Sequence, residues 1–505
     1  MEMRLVFILL IVTICYNLSA KIEVRNSIID TTSNSDAYFN TKRNSYDTLC
    51  LDNDKKFVNQ VNKSRTIYVI ESSFDLNGKK ILLPEHSFLL FRGEGRICNG
   101  VLVGKNTGIF SLPIKIFDNV KLEGLYACSL NVRWFGVSPH NSDNSACLET
   151  ALSSSSNNVL EIPGGIYLFK KKVSSYVRNA YIKGETYRST TTTMFKYVPE
   201  TTEGSSRSNS FLNLKAFDVT IENIAIVSSK GGKNLVAIEI CDSVLPGQID
   251  SNIRNCYISN FGRCIVAHGR GIKVENNLFS NTNCCLHYVS AAIQATKDVA
   301  QNPPYDGRGV IFVRNKCHGI DKINEVFNGS ALVLEENDSH RRVNNYKSSV
   351  LAMFICENEL DNTGSLLNCF LPIGDSIISG NVLVKSVSSA ITCSSDVNGL
   401  VITNNIFGKY ISTTSETATT IISLGTNAGV MKNININNNI LKDCTEEAIS
   451  LKDKESEKDG GIVVSNNIFS NIRYVLHSEG ANYENIVTNN NIYNLRGDGS
   501  FSKGE

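Results

Sequence analysis

The sequence predicts an all-β protein, wound as a single-stranded parallel β-helix with one short capping helix near residues 146–152. Three observations lead there. The first is a recurring phrase: an aliphatic residue, a polar residue, Asn, then further apolar residues. It occurs at Ile221–Ile226, Ile253–Ile258, Val274–Phe279, Val313–His318, Ile402–Phe407, Ile436–Leu441, Val464–Phe469 and Val487–Ile492, with looser copies at Leu334–Asn337, Ile355–Leu360 and Ile378–Leu383. The second is spacing. The third positions of these phrases lie 32, 21, 39, 21, 21, 23, 24, 34, 28 and 23 residues apart, so a unit of 21–24 residues recurs with loops inserted into some copies. A fixed period of that size signals stacked supersecondary units. The third is alternation: apolar residues fall at every second position, the mark of strands with one buried face, and no helical period competes. Each unit holds three short strands and three turns. Roughly eleven coils about 4.8 Å apart give a rod of about 50 Å.

Asn suits the corners. It tolerates the left-handed backbone that a tight turn needs, and stacked amides bond along the rod. Asn223, Asn255, Asn276, Asn315, Asn404, Asn438, Asn466 and Asn489 are therefore expected to be scaffold rather than ligands. A second set of short segments aligns between the phrases: Cys264–His268, Cys284–Tyr288, Val326–Ser330, Leu366–Phe370, Ala390–Ser394, Ile421–Gly425, Ala448–Lys452 and Val475–Glu479. Their second and fourth positions are expected to point inward, His287 among them. Their third and fifth form an exterior stripe that includes Asn328, Asn368, Thr392, Ser423 and His477, with His268 and Tyr288 at one end.

Taken in chain order, residues 1–20 have the pattern of a bacterial-type export signal: Arg4, an apolar run of about ten residues, and Ser19-Ala20 as a cleavage site. That run is short for a membrane span, and no later segment is long enough for one. Residues 21–64 form a polar, partly irregular leader. Residues 65–130 are rich in short β segments broken by Gly and Asn-Gly corners, the opening coils. From 131 to 498 the β-helix proper is expected, beginning with a helix over Ala146–Leu152 that Asp143, Asn144 or Ser145 can cap. Pro163-Gly164-Gly165 then turns one strand into the next.

The 505 residues carry a formal charge of +1, which argues against an electrostatic nucleic-acid binder. The fifteen Cys have no CxxC pair or zinc spacing, and Cys285, Cys369 and Cys393, on inward positions, are expected to be buried apolar residues. Cys369 and Cys393, 24 residues apart, leave a bridge between adjacent coils geometrically open.

The passage Trp134–Leu152 followed by Val159–Phe169 resembles the opening module of the pectate-lyase-like superfamily: an aromatic-Gly segment, an Asp-bearing turn, a short helix, then a Pro-Gly turn and Tyr-x-Phe. The likeness is close over about 130–170 and looser along the repeats to 495. It implies a right-handed parallel β-helix. It does not imply one activity, because that superfamily includes lyases, hydrolases, epimerases, tailspikes and catalytically silent adhesins. The Asn-Thr-Asp and Asp-Asp motifs of the polygalacturonase-like hydrolases are absent here, and Ala267–Lys273 only echoes their Gly-His-Gly and Arg-Ile-Lys elements.

A glycan-acting site is therefore expected beside the exterior stripe and its two inserted loops. His268, Asp306, Arg308, His340 and Arg341 are the candidate catalytic residues, and Tyr288, Asn328 and Asn368 the candidate substrate contacts. Imidazole, carboxylate and guanidinium are the groups that move protons and bind acidic sugars, and aromatics and amides stack on and bond to sugar hydroxyls. No metal ligand set or cofactor motif is present. The expected partner is a polysaccharide met outside the cytoplasm, by secretion to the periplasm, medium or cell surface. Two functions follow: a lyase or glycoside hydrolase of acidic glycans, or a non-catalytic carbohydrate-binding, adhesin-like rod.

Overall fold

The structure, a computed structural model, describes residues 46–186, 192–199, 209–241, 248–290, 309–320, 329–336, 350–361, 364–386, 388–409, 420–453, 461–479 and 486–502. Residues 48–505 make one compact unit. Residues 1–45, which hold the expected export signal and most of the leader, lie outside the described residues.

Among the described residues, 34 strands join one continuous sheet, and its strand pairings are parallel and join successive coils. The chain is a parallel β-helix, as the repeat implied. Right-handed winding follows from the twist of L-amino-acid strands, which favours that crossover in parallel pairs. A seven-stranded sheet spanning Asp47–Tyr126 forms the opening coils.

Three columns of apolar side chains fill the interior. One runs Ile221, Ile253, Val274, Phe312, Ile355, Ile378, Ile402, Ile436, Val464, each in register with the next. The second runs from Ile226 through Ile258, Phe279 and Cys317 to Leu441 and Phe469. The third runs Ile238, Ile265, Leu286, Leu332, Leu367, Ile391, Ile422, Ile449, Leu476. Nearly all of these residues are fully buried. Each buried Leu, Ile or Phe is worth about 1.5–3 kcal/mol over exposure, so the stack itself drives folding.

The corners differ from the expectation in an instructive way. Ten successive corners take positive φ, at Asn223, Asn255, Asn276, Arg314, Glu357, Gly380, Asn404, Asn438, Asn466 and Asn490. Asn315 and Asn489 are not corners. At Asn315 the phrase falls one residue too late, and at Asn489 one residue too early. Phe312, not Val313, takes the inward place, and Thr488 aligns with Val464. Leu334–Asn337 is no corner phrase either: Leu334 lies in the strand Ser330–Glu336, in register with Tyr288 and Cys369. Among the described residues this column has ten corners.

The amide ladder is built by the residue after the corner. Asn277, Asn315, Asn358, Asn381, Asn405, Asn439 and Asn467 each pass an Nδ2 hydrogen bond to the Oδ1 of the next rung, ending at Asn491, at 2.9–3.1 Å. Each Oδ1 also accepts the backbone N–H of the preceding ladder Asn, and at the first rung Asn277 accepts from Cys256 N. The second Nδ2 hydrogen goes to a main-chain carbonyl, such as that of Ile378 for Asn405. Buried amides need this full satisfaction.

The helix Ser145–Ser153 closes the start of the stack and buries Leu148, Ala151 and Leu152. Asn144 holds the capping position, but its side chain bonds Ser138 instead. The exposed turn is tied by Asp143, whose Oδ1 accepts from Ser145 N at 3.0 Å and Lys170 N at 3.1 Å.

Candidate functional site

The expected exterior stripe exists, with its register corrected in one stretch. The strands Leu235–Cys241, Arg263–His268, Cys284–Ser290, Ser330–Glu336 and Ser365–Cys369 lie side by side. One outward column runs Asn213, Glu239, Val266, His287, Val333, Asn368, Thr392, Ser423, Ser450, His477. Tyr288, expected to face out as a sugar platform, faces in: it is 1% exposed and packs in the core in register with Ala267 and Leu334. His287, expected to face in, belongs to the outward column. The cause is Cys285-Leu286, two apolar neighbours that are both fully buried in the core, so strict alternation breaks there and Leu286 is the one in register with Ile265.

His268 does face out. Its Nε2 lies 3.1 Å from Glu239 Oε1, and its side chain is 30% exposed. Glu239 is itself held by Asn213, whose Nδ2 donates to Oε2 at 2.9 Å. Two strands along, His287 Nε2 lies 2.7 Å from Glu335 Oε1, and its Nδ1 is 3.1 Å from an Arg263 Nη. Guanidinium can only donate, so Nδ1 accepts from Arg263 and Nε2 is the nitrogen beside Glu335. His287 and Arg263 together hold the Glu335 carboxyl below its usual range, against the opposing effect of partial burial. Val236, Val266 and Val289 form a small apolar cluster of their own beside these groups.

The structure therefore gathers two carboxylate–imidazole pairs and one guanidinium on four neighbouring strands. Such pairing orients a ring. The sequence reading found His268 but missed Glu239, Arg263 and Glu335. Glu239 had a signal: it is the lone acid in Leu235–Cys241, an otherwise apolar strand. Asn368 sits in the outward column, half-buried. Asp306, Arg308, Asn328, His340 and Arg341 lie outside the described residues.

A second polar cluster reads differently. Glu222 accepts from the Tyr181 hydroxyl, from Arg254 Nη2 at 2.9 Å and from Asn255 Nδ2 at 3.0 Å. Its oxygens are committed on every side, which suits a clamp between coils. Burial, then the adjacent Glu222 carboxylate, push the Tyr181 phenol up to about 12. An open groove of about 420 Å³ between the opening coils and the helix is lined by Asn99, Asn119, Lys121, Thr150 and Ser153. It lacks any acid–imidazole pair. Among the described residues no group of three or more His, Cys, Asp or Glu is placed to hold a metal ion, and no helix is long and apolar enough to cross a membrane.

No family model matches the chain, and no curated protein is significantly similar to it. Solved structures are similar in winding. The surface adhesin PfbA of Streptococcus pneumoniae is 14% identical over 74% of this chain and 92% of its own, at a TM-score of 0.41. The Agl-KA catalytic domain is 14% identical over 74% and 68%, at 0.43. An alginate lyase from Paenibacillus is 13% identical over 71% and 97%, at 0.32. Likeness of this degree concerns the winding alone.

Proposed function

We propose that the chain acts on a polysaccharide laid along the outward column, and that its reacting centre is His268 with Glu239, flanked by Arg263, His287 and Glu335. The observation that carries this reading is the placement of both Glu–His pairs beside a polar stripe running from Asn368 through Thr392 and Ser423. Proton abstraction next to a uronate carboxylate needs an oriented base and a cation to hold the acid group. His268, fixed by Glu239, is the base in this reading; Arg263 is the cation, and Asn368 a contact for sugar hydroxyls. β-Elimination fits better than hydrolysis. Three strands separate Glu239 from Glu335, about 14 Å of axial rise, against the ~5–9.5 Å between the paired carboxyls of glycosidases. Each carboxylate is also already committed to a histidine. The expected setting is outside the cytoplasm, which rests on the reading of residues 1–20.

The test is incubation of the purified protein with a panel of uronate polysaccharides, following ultraviolet absorbance of unsaturated ends and release of reducing sugar. Unsaturated products lost in His268→Ala support the reading. Binding to a glycan without either product across the panel would overturn the catalytic part and leave the second reading, a carbohydrate-binding rod. That reading is favoured by one observation, the full engagement of both acids in pairs.

A further inference from the structure

A pair of thiols in the core stands apart from the chemistry of the outer face. Cys285 and Cys317 are both fully buried, and their sulfurs lie 3.3 Å apart. They come from the strands Cys284–Ser290 and Lys316–Ile320, which meet across the interior from different faces of the coil. The gap exceeds a disulfide bond of about 2.05 Å by only about 1.3 Å, within the reach of small side-chain rotations. Other buried thiols are turned to oxygen. Cys264 meets Thr282 Oγ1 at 3.3 Å, Cys256 meets the Arg254 carbonyl at 3.3 Å, and Cys369 meets the Leu371 carbonyl at 3.3 Å.

We propose that Cys285 and Cys317 form a disulfide when the chain folds in an oxidising compartment, stapling the strand that carries His287 to the next face of the solenoid. The reaction balances with glutathione disulfide as oxidant. One protein thiolate attacks it, forming a mixed disulfide and releasing one glutathione; the second thiolate displaces the other, so two protein thiols are oxidised and one glutathione disulfide becomes two glutathiones. Burial, and next the neighbouring Cys317, push the Cys285 thiol well up. The folded interior is thus inert to the oxidant, and the bond forms on the way to the native state. The bridge would span 32 residues of sequence, including the inserted loop 291–308.

The experiment is refolding of the full chain in oxidised and in reduced glutathione buffers, alkylation in denaturant, and peptide mapping by mass spectrometry without reduction. The expected result in oxidised buffer is a cross-linked peptide pair carrying Cys285 and Cys317, two fewer alkylated cysteines, and a higher urea midpoint than the reduced protein. Cys317→Ser should abolish the cross-link and the gain in midpoint. Alkylation of both Cys285 and Cys317 after oxidative refolding, or a bond from either to another cysteine, overturns the proposal. The wild-type map decides even if the variant does not fold.

Discussion

Adjacent asparagines in each Asn-Asn doublet do different jobs, and substitution should separate them. Asn404 is a left-handed corner with φ +57°, whereas Asn405 is buried and makes ladder bonds on both sides. Asn404→Ala should cost about 1 kcal/mol of backbone strain. Asn405→Ala should cost about 2–3 kcal/mol, because it orphans the buried N–H groups of Asn381. Urea denaturation of the two variants checks the order. Glu357 offers the converse: an exposed non-Gly, non-Asn residue at φ +57°. Glu357→Asn should raise stability by about 0.5–1 kcal/mol, read as a higher urea midpoint at unchanged slope. Tyr181 gives a pH prediction. Its folded value is raised to about 12, so the stability it contributes is whole below the ordinary phenol value and is lost as pH climbs through the folded one. Unfolding midpoints measured between about pH 9 and 12 should fall, and Tyr181→Phe should flatten part of that slope.

The capping helix and the coil clamp are separable elements. Burial pushes the Asp143 carboxyl up, but hydrogen bonds from Ser145 and Lys170 more than offset this and hold it below its usual range. Its contribution is therefore present above the ordinary carboxylate value and lost as pH falls through the lowered one. Asp143→Ala should cost about 1–2 kcal/mol, measured at neutral pH, by freeing the N–H groups of Ser145 and Lys170. Glu222→Ala should be harsher. It removes the carboxylate that Arg254, with a side chain only 20% exposed, is paired with, and breaking such a pair costs about 3 kcal/mol. Chemical denaturation should rank Glu222→Ala below Asp143→Ala. The site strands behave as an element as well. On the proposed reading Glu239→Gln keeps the shape but removes the charge beside His268, so any uronate turnover should fall by about 100-fold with the fold intact by circular dichroism.

Across the molecule, each coil contacts mainly its neighbours, so stability is close to a sum of local terms. Ending the chain after Glu479 removes the coil Ile486–Ser502 and bares Ile462, Val464 and Phe469. A shorter rod with a lower melting temperature and the same β circular dichroism per residue is expected. Removing residues 46–153 should do worse, because it strips both the opening coils and the helix that buries Leu148 and Leu152, leaving an insoluble product.

The architecture was legible because a solenoid repeats its physics locally. An inward aliphatic every second residue and an Asn at most corners state the strand, its buried face and its turn within six residues, so Ile402–Phe407 could be placed from sequence alone. Where two apolar residues stand together, period two fits either phase: at Phe312-Val313 stacking against the neighbouring coil selects Phe312, and at Cys285-Leu286 both are buried and the alternation slips by one. That slip put Tyr288 in the core and His287 outside. It also joined Glu239 to His268 and Glu335 to His287, partners that lie 29 and 48 residues apart in the chain. Sequence period thus determined the scaffold, since each coil's geometry is set by nearby residues. The grouping of acids with imidazoles was decided by the winding, which turns distant positions into neighbours one strand apart.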